Sequence, residues 1–326
     1  MPNQPLVSFL IITYNHESFI REALEAAAAQ TYSPMEIVVC DDASTDGTFA
    51  IVEEFAAHYT GPHRLDIHRN ARNLGIAGNC NELLRLARGE LLVSADGDDR
   101  SLPNRVERSV AYYFDNGRPL YSCARARWID EKGQAVGREH HTAPICRGVV
   151  DNILQMVPGA FGATAIFHRS LIDVFGPISV PRLRFVDRTT SLRPILMGDT
   201  IRQIPEILVE YRQHGSGTCG LASDFKPDNA FHRARYITNL TENLEVLTGY
   251  HQDLRTAVDK GLISRQTFLD GEYAVTMQAY CLGLTARAMA QKTPLGRAWA
   301  LLRLAALARW RIFKRLVSRR RELFLP

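Results

Sequence analysis

The sequence predicts an α/β protein with a doubly wound, mostly parallel sheet and a helical, basic C-terminal extension. Apolar runs rich in β-branched residues alternate with segments of helical composition, which is typical of buried parallel strands joined by crossover helices. One such run, starting at Leu91, ends abruptly in Asp96-Gly97-Asp98-Asp99. Ligands of open α/β sheets bind beyond the carboxyl ends of the strands, so this acidic turn is the first candidate site.

The first half of the chain alternates regularly between the two kinds of element. The predicted strands are Val7 to Thr13, Glu36 to Cys40, Leu65 to His68 and the run from Leu91. The predicted helices are Glu17 to Ala29, Phe49 to Tyr59 and Ile76 to Arg88. Because parallel strands end at the same sheet edge, their polar exits should meet there. That edge would gather Tyr14, Asp41, Asp42, Asp96 and Asp98.

The second half is less regular. We expect helices at Pro103 to Phe114, Ile153 to Met156 and Arg169 to Phe175, and one helix from Phe185 to Met197 with Asp187 in its first turn. Strands are expected at Tyr121 to Ile129, Ala165 to His168, Ile201 to Ile204 and Ile207 to Tyr211. From about Lys226 the pattern is entirely helical.

Charge is distributed unevenly along the chain. Residues 296–326 contain nine Arg and Lys residues and one Glu, a net charge of +8, so the remainder carries −4 because the total is +4. Apolar residues in this tail recur at steps of three and four, which gives one helical stripe with arginines largely opposite. This pattern predicts either peripheral contact with an anionic membrane or packing on the body; no nucleic-acid-binding motif accompanies it.

Localisation follows from what the sequence lacks. We see no secretory signal and no apolar stretch of about 18 residues, so we expect a cytoplasmic protein, peripheral at most on the inner face of the membrane. The six cysteines include no C-x-x-C pair, so reduced thiols are expected. The G-x-G-x-x-G at residues 215–220 comes too late in the chain for a dinucleotide site, and its glycines favour a mobile lid.

Five ordered motifs together resemble family-2 glycosyltransferases, inverting enzymes with the GT-A fold. They are SFLIITYNHESFIREAL, EIVVCDDASTDGT, RNLGIAGNCNELLRLARGELLVSADGDD, PGAFGATAIFHRS and EYRQHGSG. The resemblance implies a glycosyltransferase domain over residues 1–220, with a nucleotide-sugar-binding half at 1–99 and an acceptor half at 100–220. Residues 221–326 would form the helical extension. It also implies transfer from a nucleotide sugar, expected to be a UDP-sugar, to a glycan or lipid-linked glycan of a surface polysaccharide.

The resemblance assigns roles to individual residues. The nucleotide-binding set would be Thr13, Tyr14, Asn15, Asp41, Asp42, Arg72, Asn73 and Asp96. Within it, Asp41 would accept the imide N–H of uracil. Asp98 and His214 would hold Mn²⁺ or Mg²⁺, with Asp99 as an alternative ligand. His16, His63, His140 and His141 are expected to be surface or loop residues.

The base assignment depends on one departure from the family pattern. Many members have Glu-Asp where this chain has Val186-Asp187. Asp187 is therefore the predicted catalytic base, and Asp199 remains an alternative. The small-residue loop Gly159 to Thr164 either shapes the acceptor site or packs tightly.

Two other functions fit parts of the sequence. A nucleotidyltransferase on a similar fold would usually need a Gly-rich, basic loop after the first strand, and Thr13 to Ser18 contains no Gly, Lys or Arg. A non-catalytic, membrane-docked nucleotide-binding adaptor would not need an intact set of acidic residues. Hydrolysis of a nucleotide sugar by the purified protein separates these functions from a glycosyltransferase.

Overall fold

A computed structural model of the protein describes residues 4–140, 148–155, 160–180, 183–184, 186–214 and 230–290. Within these residues nine strands form one sheet in the order β3-β2-β1-β4-β8-β6-β9-β5, with β7 paired to β6. The α/β fold predicted from the sequence is confirmed. The predicted lid at 215–220 and the basic tail at 296–326 lie outside the described residues.

The first half of the sheet is parallel, as predicted. Its strands are β1 (Val7–Thr13), β2 (Met35–Asp41), β3 (Arg64–Arg69) and β4 (Leu91–Asp96). The connecting helices are α1 (Ile20–Ala28), α2 (Thr48–His58) and α3 (Gly75–Leu86). Consecutive strand residues point to opposite faces. Phe9 and Ile11 therefore enter one hydrophobic cluster and Leu10 enters another, so both faces of the sheet are covered.

The second half of the sheet is mixed. After β5 (Arg100–Ser101), α4 (Arg105–Asp115) leads to β6 (Tyr121–Ile129), which runs parallel to β9 (Ile201–Arg212). β8 (Ala165–His168) is antiparallel to both β4 and β6 and joins the two halves. The remaining elements are β7 (Ala135–His140), α5 (Val149–Gln155), a 3₁₀ turn (Gly162–Thr164), α6 (Ser170–Phe175), α7 (Val186–Thr190) and α8 (Leu192–Leu196).

Two predicted elements differ in the structure. The single helix expected over residues 185–197 is α7 followed by α8. Pro194 has no N–H to donate to the carbonyl of Thr190, and the missing hydrogen bond interrupts the helix. The two strands expected over 201–211 are one strand, β9, whose pairing with β6 shifts register between Cys123 and Ala126.

Two long helices complete the described chain, α9 (Ala230–Asp259) and α10 (Arg265–Ala290). The helical pattern expected from about Lys226 is confirmed for these residues. α9 contributes Val246, Tyr250 and Leu254 to a hydrophobic cluster that also contains Leu192 and Leu196 of α8. The described part of α9 therefore packs on the body. None of the described helices combines the length and the apolarity that crossing a bilayer requires.

Candidate active site

The carboxyl ends of three adjacent strands form the floor of the candidate site. In the parallel register, Thr13 of β1 lies opposite Asp41 of β2, and Ile12 lies opposite Asp96 of β4. The sheet's own hydrogen bonds therefore bring together residues that are far apart in the sequence. The predicted convergence of Asp41 and Asp96 at one edge is present in the structure, and Thr13 lies there with them.

Three carboxylates cluster immediately after β4. Asp96, Asp98 and Asp99 each offer an oxygen that lies within 4.8 Å of the other two. Gly97 lets the turn lie close to β1, because a Cβ at this position would be 2.7 Å from Thr13 Oγ1 and 2.9 Å from His16 Nδ1. Such distances require the neighbours to move, so a side chain at residue 97 would disturb the acidic turn.

Two histidines lie beside Asp98. His214 Nε2 is 2.8 Å from Asp98 Oδ2, and His16 Nε2 is 3.8 Å from the same oxygen. His16 lies in the loop after β1, as expected, but its side chain is only 19% exposed and lies beside Asp98. Its Nδ1 is buried without a hydrogen-bond partner among the described residues. His63 also lies in a loop, before β3, and it is buried.

Burial and neighbouring charges shift the pKa values of the three carboxylates after β4, and a bound cation would stabilise their ionised forms. Burial and the charges of Asp98 and Asp187 raise the pKa of Asp96 to about 7. Burial and the charges of Asp98 and Asp96 hold the pKa of Asp99 well above its usual range. Burial alone would raise the pKa of Asp98, but the hydrogen bond with His214 and the charge of His16 outweigh it and lower that pKa.

These groups fit a hard divalent cation. Asp99 Oδ2 is buried and has no hydrogen-bond partner among the described residues, while Asp99 Oδ1 accepts a hydrogen bond from the backbone N–H of Arg212. Carboxylate oxygens suit Mg²⁺ and Mn²⁺, and an imidazole nitrogen suits Mn²⁺ better than Mg²⁺. A cation would relieve the repulsion among the three carboxylates and supply a partner for Asp99 Oδ2.

A buried arginine fixes the acidic turn relative to β9. The Arg212 guanidinium donates to the carbonyl oxygens of Asp98 (2.9 Å) and Glu131 (3.0 Å) and to the carboxylate of Glu22 (2.8 Å). Its side chain is fully buried and lies over the ring of Phe19. Because His214 follows two residues later, Arg212 also determines where that imidazole meets Asp98.

Asp41 and Asn15, two of the residues predicted to bind the nucleotide, share hydrogen-bond partners in the loop after β2. The fully buried Asp41 carboxylate accepts hydrogen bonds from the backbone N–H and the hydroxyl of Ser44. Asn15 has a positive φ of 54°, and its backbone N–H donates to Ser44 Oγ. Its side-chain oxygen accepts from the backbone N–H of Thr45. Beside them, Tyr14 leaves β1 with 41% of its surface exposed and is available to a ligand.

Asp42 faces the amino end of α3. It accepts hydrogen bonds from the backbone N–H groups of Leu74 and Gly75, each at 2.8 Å. Negative charge at this end of a helix is favourable because the first N–H groups have no partner inside the helix. Arg72 and Asn73 lie exposed in the turn before α3, so Asp42 positions the segment that carries both of them.

Asp187 lies in the first turn of α7 and lines a cavity of about 160 Å³ together with Asp96. The cavity is otherwise mainly apolar and includes Phe161, Gly162 and Ala163, so the small-residue loop does border the site. The Asp187 carboxylate accepts backbone hydrogen bonds from Gly162 and Arg188. Burial outweighs these bonds and the charge of Arg188, and it raises the pKa of Asp187.

The alternative base, Asp199, is engaged elsewhere. Its two oxygens accept the backbone N–H groups of Leu120 and Thr200, both at 2.7 Å. Asp199 therefore ties the start of β6 to the start of β9 and is not among the residues that line the cavity. The geometry favours Asp187 over Asp199 as a group that meets a ligand.

Comparison with known proteins identifies the family of this chain. The family model described as Glycosyl transferase family 2 matches residues 8–176, just over half of the chain. Among curated proteins, EpsE of Bacillus subtilis is 39% identical over 112 residues, which cover 34% of this chain and 40% of EpsE. An Escherichia coli UDP-Glc:α-D-GlcNAc-diphosphoundecaprenol β-1,3-glucosyltransferase, WfaP, is 32% identical over 36% of this chain and 44% of WfaP. The chain thus spans less than half the length of these two relatives.

Solved structures confirm the GT-A fold. S. aureus TarS 1–349 in complex with UDP superimposes with a TM-score of 0.52 at 16% identity, covering 87% of this chain and 79% of that one. The mannosyltransferase PcManGT from Pyrobaculum calidifontis, in complex with GDP-Man and Mn²⁺, gives 0.53 at 21% identity, covering 97% and 84%. At these identities the likeness concerns the fold.

Proposed function

Since this chain belongs to glycosyl transferase family 2, we propose that it is a metal-dependent, inverting glycosyltransferase that moves a sugar from a nucleotide-sugar donor to a glycan or lipid-linked glycan. One observation carries this proposal. The acidic turn after β4 and the buried carboxylate of Asp187 border the same site from opposite halves of the fold, since Asp96 and Asp187 line one cavity. This arrangement suits a donor held on one side and a base on the other.

The donor is proposed to be a UDP-sugar. Tyr14 would lie against the base, flanked by Thr13 and Asn15, and Asp41 would accept the imide N–H of uracil. Asp96 would contact the ribose, and Arg72 and Asn73 the ribose or the phosphates. Support for a nucleotide sugar comes from TarS, solved with UDP and with UDP-GlcNAc, and from PcManGT, solved with GDP-Man.

Asp98 and His214 would hold Mn²⁺ or Mg²⁺, with Asp99 as a further oxygen ligand. When bound, the cation neutralises charge on the nucleoside diphosphate that leaves. His16 Nε2, which lies 3.8 Å from Asp98 Oδ2, would be a third group within reach of the cation or the phosphates. Arg212 and Gly97 would keep the ligands in place by holding the turn that carries Asp98.

Asp187 would act as the general base. The acceptor hydroxyl oxygen bonds to the anomeric carbon as the bond from that carbon to the diphosphate oxygen breaks, and the hydroxyl proton passes to the Asp187 carboxylate. A single displacement of this kind inverts the anomeric configuration. The raised pKa of Asp187 makes it a stronger base than an exposed aspartate, and general base catalysis contributes about 10²–10⁴-fold.

The acceptor is proposed to be a growing glycan of a surface polysaccharide or its lipid carrier. WfaP, one relative, acts by its name on a sugar linked to diphosphoundecaprenol. The basic, amphipathic tail at residues 296–326 would bring the enzyme to the anionic inner face of the cell membrane, where such carriers lie. We propose a cytoplasmic, peripheral location for that reason.

The purified protein tests the proposal directly. It is incubated with Mn²⁺ and a panel of UDP-, GDP-, dTDP- and CMP-sugars, and both thermal unfolding and release of the nucleotide are measured. We expect a UDP-sugar to raise Tm and to be hydrolysed slowly, because a ligand that binds only the folded state stabilises it. If the folded protein neither binds nor hydrolyses any of these nucleotide sugars, the proposed function is rejected.

A further inference from the structure

We infer that α9, in the region beyond the family match, positions the proposed catalytic base, with Asn243 and Tyr250 as the positioning residues. The inference rests on the proposed function, because it concerns the reactivity of Asp187. Three contacts between α9 and the helix that carries Asp187 support it, and they lie on one face of α9.

The helix that carries Asp187 needs support from outside. α7 has only five residues, Val186–Thr190, and helices this short are unstable without tertiary contacts. The Asp187 carboxylate is oriented by backbone N–H groups of Gly162 and Arg188. The orientation of the Asp187 carboxylate in the cavity therefore depends on where α7 lies relative to the loop that contains Gly162.

The first two contacts involve Arg188, the residue after Asp187. Its Nη1 donates to Asn243 Oδ1 at 2.6 Å, and its backbone carbonyl accepts the hydroxyl of Tyr250 at 2.9 Å. The same carbonyl also accepts from Ser191 Oγ at 2.7 Å. α9 thus holds both the side chain and the backbone of the residue adjacent to the proposed base.

The third contact is a close approach of the two helices. A Cβ on Gly249 of α9 would lie only 2.5 Å from Thr189 Cγ2, so only glycine fits here without movement. Thr189 itself is 1% exposed. One helical face carries Asn243, Val246 and Tyr250, because they are spaced by three and four residues. Val246 and Tyr250 also belong to the hydrophobic cluster between α9 and the body.

Ion pairs fix the same face of α9 on both sides of these contacts. Arg193 of α8 is almost fully buried and donates two hydrogen bonds to Asp253, at 3.0 and 3.3 Å. On the other side, Arg184, which lines the cavity, donates to Glu242 at 3.1 Å. The segment from Arg184 to Arg193 therefore lies along α9 between two charged anchors.

The predicted consequence separates catalysis from donor binding. Most of the proposed donor-binding groups stand at the ends of β1, β2 and β4, whose positions are set by hydrogen bonds within the sheet. Loosening α7 should displace Asp187 without moving those strands. Since a misplacement of about 1 Å can cost ~10²-fold in rate, even a partial loss of support should be visible in kcat.

Two variants each remove one contact, and a third serves as control. We expect Tyr250→Phe to lower kcat for sugar transfer about 5-fold and Asn243→Ala about 10-fold, because Asn243 bonds a charged group. Donor KM and the affinity for Mn²⁺-UDP should stay within about 2-fold of wild type. His251→Ala, which removes an α9 contact to Glu272 of α10, should leave kcat within about 2-fold.

A double-mutant cycle distinguishes positioning from general structural support. In an Asp187→Asn background, Asn243→Ala should lower the residual rate by less than about 2-fold, because the group it positions is no longer a base. An equal loss in both backgrounds would overturn the inference, as would wild-type kcat in both single variants.

Amide hydrogen exchange tests the positioning independently of activity. Exchange of residues 186–190 should be about 10-fold faster in Asn243→Ala, while residues 7–13 and 91–96 keep their wild-type rates. If the wild-type protein transfers no sugar yet this local change occurs, the proposed function is wrong and the support of α7 by α9 stands. Unchanged exchange at 186–190 would reject that support.

Discussion

His214 Nε2 lies 2.8 Å from Asp98 Oδ2, so the segment after β9 meets the acidic turn after β4 at one oxygen atom. The two residues are separated by 116 positions in the sequence. The contact links the parallel half of the sheet, which contains β4, to the mixed half, which contains β9. It brings together an imidazole and a carboxylate, both of which can be transition-metal ligands.

The metal prediction follows from this pair. Asp98→Ala should abolish sugar transfer while the protein stays folded, because Asp98 lies in a turn past the end of β4. We expect Mn²⁺ to raise the Tm of the wild type and not that of the variant, and EDTA to inhibit transfer reversibly. Asp115→Ala, at the exposed end of α4, is the matched control. Full activity in EDTA would exclude the metal-dependent mechanism.

The base prediction concerns both rate and stability. Asp187→Asn should lower kcat by ~10²–10⁴-fold with little change in donor affinity. Burial raises the folded-state pKa of Asp187 above its unfolded value, so the ionised carboxylate destabilises the fold at neutral pH. We therefore expect a higher Tm for the variant at pH 7.5, and a difference that shrinks as the pH falls toward the unfolded pKa of about 3.9.

The same shift predicts the pH dependence of the wild type. Asp187 must be ionised to accept a proton, so kcat should fall on the acid side with a midpoint above the usual range for aspartate. Near-normal turnover of Asp187→Asn, with loss of turnover in Asp199→Asn, would move the assignment to Asp199. Asp199 accepts hydrogen bonds from two backbone N–H groups, so we expect its replacement to lower the stability of the fold instead.

Several features were predictable because their signals are local. Buried parallel strands such as β2 and β4 read as largely apolar runs, and Asp41 and Asp96 stand at their ends. The strand β7 gave no such signal, since most of Ala135–His140 is exposed. β5 has only two residues and exists through its pairing with Glu210 and Val209 of β9.

The part of the site that was missed depends on long-range packing. Nothing near His16 in the sequence distinguishes it from a surface histidine. Its place beside Asp98 arises because Gly97 lets the acidic turn approach β1, and the turn is held by Arg212 from the far end of the sheet. The support of α7 by α9 likewise joins segments about 55 residues apart.

The close approach of Gly97 to Thr13 and His16 leads to a further prediction. In Gly97→Ala the new Cβ would lie 2.7 Å from Thr13 Oγ1 and 2.9 Å from His16 Nδ1, so the turn carrying Asp98 must shift. We expect the affinity for Mn²⁺-UDP, measured by calorimetry, to fall at least about 10-fold, as for other changes that disturb ligand orientation. Gly283→Ala, where a Cβ meets nothing within 4 Å, is the control and should bind normally.

His16 gives a prediction about the cation and the diphosphate. His16→Gln removes an imidazole 3.8 Å from Asp98 Oδ2 but keeps a polar side chain of similar reach. We expect the affinity for Mn²⁺-UDP to fall about 10-fold, with a smaller effect on UDP alone. His58→Gln, on the exposed end of α2, should behave as wild type. Equal affinities for Mn²⁺-UDP in wild type and His16→Gln would remove His16 from the site.

The last prediction concerns the basic tail. Its apolar residues are spaced for one helical stripe and are Trp299, Leu302, Ala306, Trp310, Phe313 and Val317. On an anionic surface each basic residue contributes about 1 kcal/mol, and salt weakens the attraction. The full chain should therefore co-sediment with anionic vesicles at low salt and not with neutral ones. A truncation after Pro294 should lose this binding and retain donor hydrolysis. If the truncated protein unfolds or aggregates instead, the tail is part of the core and the membrane contact is rejected.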